Sequence, residues 1–507
     1  MLDKCIALAP YIVLLYSIFI ITFVIYRCFF HPLAHIPGPF LARITHLYEW
    51  YYDLYLKGQY TWHLKELHQK YGPVVRISPE EVHIHDADYF SSVYNNTNGR
   101  MDKPTKVAQA FGPFAAVVAT QYHDLHKIRR NAMGRYFSTT SVNELTPTML
   151  RPVRILCDRL GELSKTKQTI DMQYFFAAVT LDIMNGYCFS YEPQNVLKPD
   201  FGKREKDDID LYLEVSLWTY HMPWIMRLIF SLPDAVNKLK SPAMANILNF
   251  RGVLFQQIEA IRNGQDESHK STKHRTIFHD LLSSKLPPKE LGTNRLRDEA
   301  FTLVLAGSDS TANAIRGLAY HIAANPPIRQ RLYEELKTVI PNPSLEVFPS
   351  IAELEQLPYF SAVIKEGLRV CSPIPHRLGR TFPEKDLICH GHVIPAGAHV
   401  SMTANLTHED EKIFSDPYVF RPERWLEEGP RLEPYLLPFS AGIRGCLGMN
   451  LARAELFLIL AAVFRKFTFD VSEVSRARDI DLTRDFIIGA PSADSPGILV
   501  KVEKVTA

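Results

Sequence analysis

The sequence predicts a mainly α-helical protein with small β-sheets, preceded by one N-terminal transmembrane helix. Residues 6–26 form an uncharged apolar run, helical periodicity dominates the rest of the chain, and alternation with period two is confined to short segments such as 73–85. With 507 residues, 46% of them apolar, the chain can bury a large core. Its 57 Lys and Arg against 55 Asp and Glu leave a net charge of +2, so we expect no nucleic-acid partner.

The apolar run at residues 6–26 has the length of a membrane span. As a helix it would be roughly 30 Å long, about the hydrocarbon thickness of a bilayer. A cleaved signal peptide is the alternative, but Asp3 and Lys4 precede the run and no small-residue cleavage site follows it. Residues 1–5 would then be a short luminal N-terminus, because Arg27 and Arg43 flank the other end and favour a cytosolic body. Membrane lipid is therefore an expected partner.

A proline-rich segment, residues 27–39, follows the predicted anchor. It contains Pro32, Pro37, Gly38 and Pro39, which cannot continue a helix and predict a stiff, extended hinge. Residues 40–507 would form the globular domain. Within it, the alternation at residues 73–85 across a Ser-Pro turn predicts a hairpin, and the stretch at residues 211–232 is unusually apolar.

One of the seven cysteines lies in a distinctive loop. The set contains no CxxC pair and predicts a reducing compartment. Cys446 lies in Phe439-Ser-Ala-Gly-Ile-Arg-Gly-Cys-Leu-Gly448, directly before an apolar run with helical spacing. A helix N-terminus favours the thiolate, and Arg444 supplies positive charge for an anion. The loop suits a soft metal in a planar cofactor; a structural cysteine in a glycine-rich turn is the alternative.

A long helical pattern covers residues 295–325 and is interrupted by polar residues. Ala306, Gly307 and Ser310 fall on one face of this helix, with Thr311 beside them. A glycine and several hydroxyls weaken a helix, so the segment predicts either a polar kink or a local opening. A carboxylate next to a hydroxyl, here Asp309 and Ser310, can relay protons from solvent.

These motifs resemble the cytochrome P-450 superfamily. The loop matches its pattern Phe-x-x-Gly-x-Arg-x-Cys-x-Gly at every fixed position, and the other motifs follow in the family's order over nearly the whole chain. The hinge, residues 70–79 and the His126 helix look most like filamentous-fungal members, loosely the trichodiene-oxygenase type. The resemblance implies the cytochrome P-450 fold, with a long central helix over the haem.

The resemblance also implies the cofactor residues. Haem b (iron protoporphyrin IX) would be held by Cys446 as the axial iron ligand. The family's Trp-x-x-x-Arg motif corresponds to His126 and Arg130, so an imidazole replaces the usual aromatic ring next to a haem propionate. The other implied cofactor-binding residues are Phe439, Gly442, Arg444, Gly448, Arg380, Ala306 and Gly307.

The family's oxygen-activating segment, Ala/Gly-Gly-x-Asp/Glu-Thr-Thr/Ser, maps onto the central helix. Asp309 takes the position of the acid, Ser310 that of the first hydroxyl and Thr311 that of the second, so these three are the implied catalytic residues. Ser310 replaces the usual threonine and lacks the methyl group that restricts its rotamer. Glu366, Arg369 and Arg424 match the family's buried charge frame, and variants of these three are expected to lose haem.

The implied function is monooxygenation of a hydrophobic small molecule, such as a fungal terpenoid or polyketide, with O2 as co-substrate. Electrons would come from NADPH through a flavoprotein reductase at the endoplasmic reticulum membrane, with the catalytic domain facing the cytosol. A haem-thiolate isomerase or dehydratase acting without O2 is the main alternative. A haem protein without catalysis and a cysteine-nucleophile hydrolase explain fewer of the motifs.

Overall fold

The computed structural model divides the chain into two units. The smaller unit comprises Met1–Pro104 and Arg377–Thr403, and the larger unit comprises Thr105–His376 and Ala404–Ala507. The structure describes the chain apart from residues 1, 96–98, 111, 113, 192–193, 226–227, 229–231, 233–241, 268–269, 271–273, 275, 344–346 and 506–507. The chain is about 60% helical with small sheets, so the predicted fold class is confirmed.

The smaller unit contains a four-stranded sheet. Its strands lie in the order Val74–Arg76, Glu81–Ile84, His399–Ser401 and Arg380–Thr381. The first two form the predicted hairpin, with Val74 opposite Ile84. A separate hairpin pairs Leu387–Cys389 with His392–Ile394. The α-helices of this unit are Leu2–Ile25, Phe40–Ile44, Leu47–Trp50, Tyr60–Tyr71 and Phe90–Tyr94, with shorter helical turns at Tyr26–Phe30, Tyr51–Tyr55 and Ala87–Tyr89.

The N-terminal helix Leu2–Ile25 covers nearly all of the predicted anchor. The segment Pro10–Phe30 has a mean hydropathy of 2.3, and none of it is buried against the protein. An unburied apolar helical segment of this length is a candidate membrane span.

The segment after the anchor differs from the predicted extended hinge. Tyr26–Phe30 continues as a helical turn, residues 32–35 form turns, and the side chains of Leu33 and Ile36 are buried. The Arg76 N–H donates to the Pro37 carbonyl at 2.7 Å, and a Cβ on Gly38 would lie 2.3 Å from the Arg76 carbonyl oxygen. Proline does exclude a long helix here, but apolar burial folds the segment onto the sheet instead of leaving it extended.

The larger unit is built from helices around one hydrophobic core. Its small sheets pair Thr169–Asp171, Leu499–Lys504 and Phe467–Asp470 in that order, and Arg484–Phe486 with Ile488–Ala490. Of the apolar stretch 211–232, the structure gives a helix to His221, and residues 226–227 and 229–231 lie outside the described residues. The α-helices are Thr105–Gln109, His123–Gly134, Thr139–Glu144, Thr146–Thr166, Met172–Phe189, Lys203–His221, Pro242–Arg262, Ile277–Leu282, Thr293–Ala324, Pro326–Val339, Ile351–Glu355, Pro358–Val370, Ala404–His408, Glu423–Glu427, Gly429–Leu432 and Met449–Phe464. Shorter helical turns lie at Arg135–Phe137, Pro288–Leu291, Glu433–Tyr435, Gly442–Arg444 and Arg476–Ile480.

The central helix, Thr293–Ala324, confirms the long helix predicted at residues 295–325. It packs against Met172–Phe189, Pro242–Arg262, Pro358–Val370 and the helix that follows Cys446, Met449–Phe464. The predicted local opening is absent, because the helix is continuous across residues 307–311. The hydroxyls of Ser308 and Ser310 donate to the carbonyls of Val304 and Ala306, so they are satisfied within the helix without interrupting it.

Candidate functional site

The cysteine loop ends directly at a helix. Gly442–Arg444 forms one helical turn, Gly442 adopts a left-handed φ of 69°, and Gly448 caps the helix Met449–Phe464. The Cys446 N–H donates to the Phe439 carbonyl at 2.8 Å and closes the loop. Cys446 is exposed, whereas the following helix is buried from Ala454 onward. The loop therefore does not pack this cysteine into the core.

The electrostatics of the Cys446 thiol combine opposing effects. Desolvation by the many protein atoms around the thiol raises the pKa of Cys446 although the residue is open to solvent on one side, whereas the Gly448 N–H and the Arg130 guanidinium lower it. The thiolate that the sequence predicts at this helix N-terminus stays a prediction. A bound cation deprotonates a coordinating thiol, and Arg130 and Gly448 would then stabilise the anion.

Arg130 is a predicted residue that the structure brings to the cysteine loop from a distant part of the sequence. It lies on the helix His123–Gly134, and its Nη2 donates to the Cys446 carbonyl at 3.3 Å. Burial lowers the pKa of Arg130, and the nearby Cys446 raises it. His126, one turn earlier, is buried, with 4% of its side chain exposed. The helix thus places both residues in the same unit as the cysteine loop.

Arg444 connects the loop to the chain segment before that helix. Its Nη1 donates to the Thr120 carbonyl at 2.8 Å and its Nη2 to the Gln121 carbonyl at 2.7 Å. The sequence predicted that this guanidinium serves an anion of the cofactor. In the structure two of its N–H groups bind backbone carbonyls, so Arg444 also fixes the loop to residues 120–121.

The central helix has an open face and a buried face at the predicted catalytic segment. Ala306 is exposed and Ser310 is half-buried, whereas Asp309 and Thr311 are buried at 3% and 5% exposure. Ser310 Oγ donates to the Ala306 carbonyl at 2.7 Å, so these two residues share the open face. A Cβ on Gly307 would lie 2.6 Å from Met184 Sδ, which gives this glycine a helix-packing role; its contact with the cofactor stays a prediction.

Asp309 has a cationic partner that the sequence did not reveal. Lys206 Nζ, on the helix Lys203–His221, lies 2.7 Å from Asp309 Oδ1 and also contacts Asp210. Burial acts to lower the pKa of Lys206, but the two carboxylates raise this pKa above its usual value. Asn313 Nδ2 donates to Asp309 Oδ2 at 3.0 Å. The predicted acid is thus held in a buried ionic cluster.

Glu366, Arg369 and Arg424 form the predicted buried charge frame. Arg369 Nη2 donates to Glu366 Oε1 at 2.7 Å, and Arg424 Nε donates to the same oxygen at 3.1 Å. All three side chains are at most 3% exposed. The Trp425 indole N–H donates to Glu366 Oε2 at 2.9 Å. The carboxylate therefore binds two guanidinium groups and an indole without access to water.

His408 extends this frame. Arg369 Nη1 donates to the His408 carbonyl at 2.9 Å, and the Leu437 N–H donates to His408 Nε2 at 2.9 Å. Burial, and then the charge of Arg369, lowers the pKa of His408 to about 3, so its ring stays neutral and can accept this bond. The frame thus reaches the backbone two residues before Phe439.

Arg380 lies in the smaller unit, at the start of the strand Arg380–Thr381. Its guanidinium is buried, donates to the Gly379 carbonyl at 2.9 Å and lies over the Tyr94 ring at 4.9 Å. Burial lowers its pKa. Contacts with Gly379 and Tyr94 in the smaller unit therefore fix the position of the Arg380 side chain.

Sequence reasoning missed Lys206, Trp425 and His408. Lys206 lies within a charged run, residues 203–208, that is typical of a solvated helix. Trp425 adjoins Arg424 in the sequence, so its neighbourhood was visible but its hydrogen bond was not. The loop residues fit a flat thiolate-ligated group: the thiol is exposed, and a Cβ added at Gly448 would meet no atom within 4 Å.

Comparison with known proteins gives one consistent result. A sequence profile of the family described as Cytochrome P450 matches residues 38–494. The chain is 37% identical to the cytochrome P450 monooxygenase tpcC of Cochliobolus heterostrophus, over 94% of each chain. It is 35% identical to the N-acetyltryptophan 6-hydroxylase ivoC of Emericella nidulans, over 98% of this chain and 97% of the other. It is also 34% identical to the tryptophan 6-hydroxylase fscE of Fusarium equiseti, over 97% and 96%.

Proposed function

Because the chain belongs to the cytochrome P450 family, whose similar members are fungal monooxygenases, we propose that Cys446 ligates haem iron and that the enzyme oxygenates a hydrophobic small molecule. The observation that carries this proposal is the exposed Cys446 thiol at the start of a buried helix, beside the Arg130 guanidinium. A merely structural cysteine would be packed into the core, as Cys157 and Cys188 are.

The residues that would hold the cofactor come from three elements of the larger unit. Cys446 would supply the thiolate, Arg130 binds the Cys446 carbonyl from the helix His123–Gly134, which also carries His126, and Ala306 offers a small side chain on the open face of the central helix. Phe439, Gly442, Arg444 and Gly448 shape the loop. When bound, thiolate-ligated haem supplies the activation of dioxygen that monooxygenation requires. The cofactor-binding role of Arg380, which the resemblance implies, stays a prediction.

Ser310 is proposed to deliver protons at the open face. Its hydroxyl can act as a donor there only after it leaves the Ala306 carbonyl, which a single χ1 rotation achieves. Asp309 follows on the buried face, where it pairs with the Lys206 ammonium. The two residues can relay a proton between the buried cluster and the open face while the buried side of the helix excludes bulk water.

The substrate class and partners are part of this proposal. We propose a fungal secondary metabolite with an apolar skeleton, such as a terpenoid or polyketide, and NADPH-derived electrons from a flavoprotein reductase. The exposed apolar helix supports a single-pass anchor in the endoplasmic reticulum membrane, with the body in the cytosol. The two relatives named as hydroxylases of tryptophan compounds make indole derivatives the first aromatic substrates to include in a screen.

Two measurements test the function. The reduced carbon monoxide complex of the wild type should show the red-shifted Soret band of thiolate ligation, and Cys446→Ala should lose it while Cys157→Ala retains it. Turnover with NADPH, reductase and ¹⁸O2 should place one labelled oxygen in the product. Product formation without O2 would instead support the isomerase or dehydratase alternative, and a normal Soret band in Cys446→Ala would refute the ligand assignment.

A further inference from the structure

The hairpin Leu387–Cys389/His392–Ile394 carries a group of metal-binding side chains that the proposed oxygenase chemistry does not use. Ligand atoms of Asp86, Cys389 and His390 all lie within 4.8 Å of one another. All three residues belong to the smaller unit. A thiol, an imidazole and a carboxylate are the ligand types that zinc takes in proteins.

We propose that Asp86, Cys389 and His390 form a zinc site with three protein ligands and one water, which links the hairpin to the segment after the strand Glu81–Ile84. In this site Cys389 would bind as a thiolate and the imidazole of His390 as the neutral ring. The site is distinct from the proposed haem ligand Cys446, which lies in the larger unit.

The backbone on both sides orients these side chains. Asp86 Oδ1 accepts the Asp88 N–H at 3.0 Å, which leaves Oδ2 directed at His390 Nε2, 2.8 Å away. His390 and Gly391 both have positive φ, 47° and 78°, as a two-residue hairpin turn requires. The Tyr89 hydroxyl also donates to the Ile388 carbonyl at 3.0 Å. These contacts therefore hold the two segments close enough together for their side chains to bind one ion.

Cys389 is the most informative member of the group. Only 2% of it is exposed, it forms no disulfide, and in the described part of the chain its thiol has no hydrogen-bond partner. A hydrogen bond between His390 and Asp86 alone would explain those two residues but not a sulfur placed beside them. The ligands of a tetrahedral zinc ion lie about 3.3 Å apart, so His390 and Asp86 must separate by a few tenths of an ångström to admit the ion.

Zinc would also add to the stability of a small element. A two-stranded hairpin is marginally stable in water, and although Leu387 and Ile394 of this hairpin are buried, Ile388 and Val393 are exposed. Two hydrogen bonds tie the hairpin to residues 86–89. A metal ion would add a third and much stronger link, because metal binding contributes directly to the stability of the folded site.

The test uses the full-length, haem-loaded protein in detergent, treated with chelator and then dialysed against micromolar zinc. Element analysis should give about one zinc per haem iron. Zinc-edge X-ray absorption should show one sulfur neighbour at about 2.3 Å and lighter neighbours at about 2.0 Å. Neither measurement depends on activity, so failure of the oxygenase proposal would not affect it.

Three conservative variants isolate the ligands. Asp86→Asn keeps the turn cap, His390→Asn keeps a residue that tolerates positive φ, and Cys389→Ser removes the sulfur; each should weaken zinc binding at least about tenfold. His392→Asn, on the same hairpin, is the control and should bind normally. Equal zinc binding by wild type and all three variants, or a zinc shell without sulfur in the wild type, would overturn the site. Each variant must retain the reduced carbon monoxide spectrum, which reports that the chain is folded.

Discussion

At the scale of single residues, adjacent positions on the central helix have opposite environments. Ser310 lies on the open face with Ala306, whereas Asp309 is buried against Lys206. A proton passing between them must therefore cross from a buried ionic cluster to an exposed hydroxyl. The helix is unbroken here, so side-chain rotation and not helix opening has to connect the two.

Ser310→Ala removes the hydroxyl from the open face and is expected to uncouple turnover. NADPH consumption should continue while peroxide release rises severalfold and product falls, because reduced dioxygen loses its proton donor. Peroxide and product per NADPH are the quantities to measure. Ser308→Ala is the control, since that hydroxyl is buried and donates to the Val304 carbonyl. Unchanged coupling in Ser310→Ala would exclude the proposed role.

Lys206→Met leaves two carboxylates, Asp309 and Asp210, close together without their shared cation. Breaking a buried ion pair on one side costs about 3–5 kcal/mol of unfolding free energy. Lys203→Met, on the same helix, removes an exposed pair with Asp207 and should cost less than about 1 kcal/mol. Denaturant unfolding of both variants measures the difference. Equal small effects would show that the cluster is solvated.

At the scale of elements, the charge frame joins the helix Pro358–Val370 to the segment that leads to the cysteine loop. Arg424→Met removes one of the two guanidinium partners of Glu366, a residue that is 0% exposed, and leaves buried hydrogen-bond acceptors unsatisfied. We expect a loss of about 3–5 kcal/mol and a fall in haem content of the purified protein. Arg421→Met is the matched control, because its side chain pairs with Glu427 at the surface while its backbone N–H still binds Glu366. Full haem content in Arg424→Met would contradict the prediction.

A second charged cluster fixes the turn after the anchor helix. Arg27 Nη1 donates to Glu80 Oε1 at 2.7 Å, and His46 Nε2 lies 3.0 Å from Glu80 Oε2. Burial acts to lower the pKa of His46, but hydrogen bonds to Glu49 and Glu80 raise this pKa to about 9. Burial acts to raise the pKa of Glu80, but its hydrogen bonds to His46 and Arg27 lower that pKa to about 2.

The sign of the pH dependence follows from these shifts. A histidine whose pKa rises on folding stabilises the protein fully below its unfolded value of 6.5, and this contribution is lost as the pH rises toward 9. The unfolding free energy should therefore fall more steeply between pH 6.5 and 9 in the wild type than in His46→Gln. His35→Gln, which removes a ring bonded to the Val393 carbonyl, should retain the wild-type slope. Parallel pH profiles for the wild type and His46→Gln would refute the contribution of this cluster.

Element types were predictable from the sequence, whereas partners distant in sequence were not. The period of the apolar residues predicted the central helix and the hairpin at residues 73–85, because helix and strand periodicity are local properties. Lys206 and Asp309 are a hundred residues apart and meet only through helix packing. The prolines likewise indicated that no long helix runs through residues 32–39, but they could not indicate that Leu33 and Ile36 would be buried.

The candidate site shows the same difference between local features, which the sequence predicts, and contacts between distant residues, which it does not. The cysteine motif predicted the loop and its helix, since glycine spacing and an apolar run are visible in order along the chain. Whether Arg444 binds a backbone carbonyl or an anion depends on residues 120–121, which only folding brings to it. Ser310 and Asp309 were predicted as a pair, but their opposite burial depends on which neighbouring helix covers each side.

At the scale of the whole molecule, the candidate membrane span meets the folded body at the turn that follows the N-terminal helix. The apolar span is unburied, whereas the turn that follows it is tied to the sheet by Arg27 and Pro37. The smaller unit also exposes apolar side chains that follow this turn in the sequence, including Phe40, Leu47 and Tyr55. The anchor and this surface are therefore two possible sources of membrane binding.

Deleting residues 2–25 removes the span and leaves Arg27 with Glu80. We expect the truncated chain to leave the membrane pellet in an alkaline carbonate wash, because no segment that crosses the bilayer remains among the described residues. Its reduced carbon monoxide spectrum should be unchanged, since the described side chains of the deleted helix, at residues 10–25, are not buried against the body. A full-length variant with the same apolar residues in scrambled order is the control and should stay in the pellet. Retention of the truncated chain would show that the exposed side chains of the smaller unit hold the membrane, and substitution of Phe40 and Leu47 by serine should then release it.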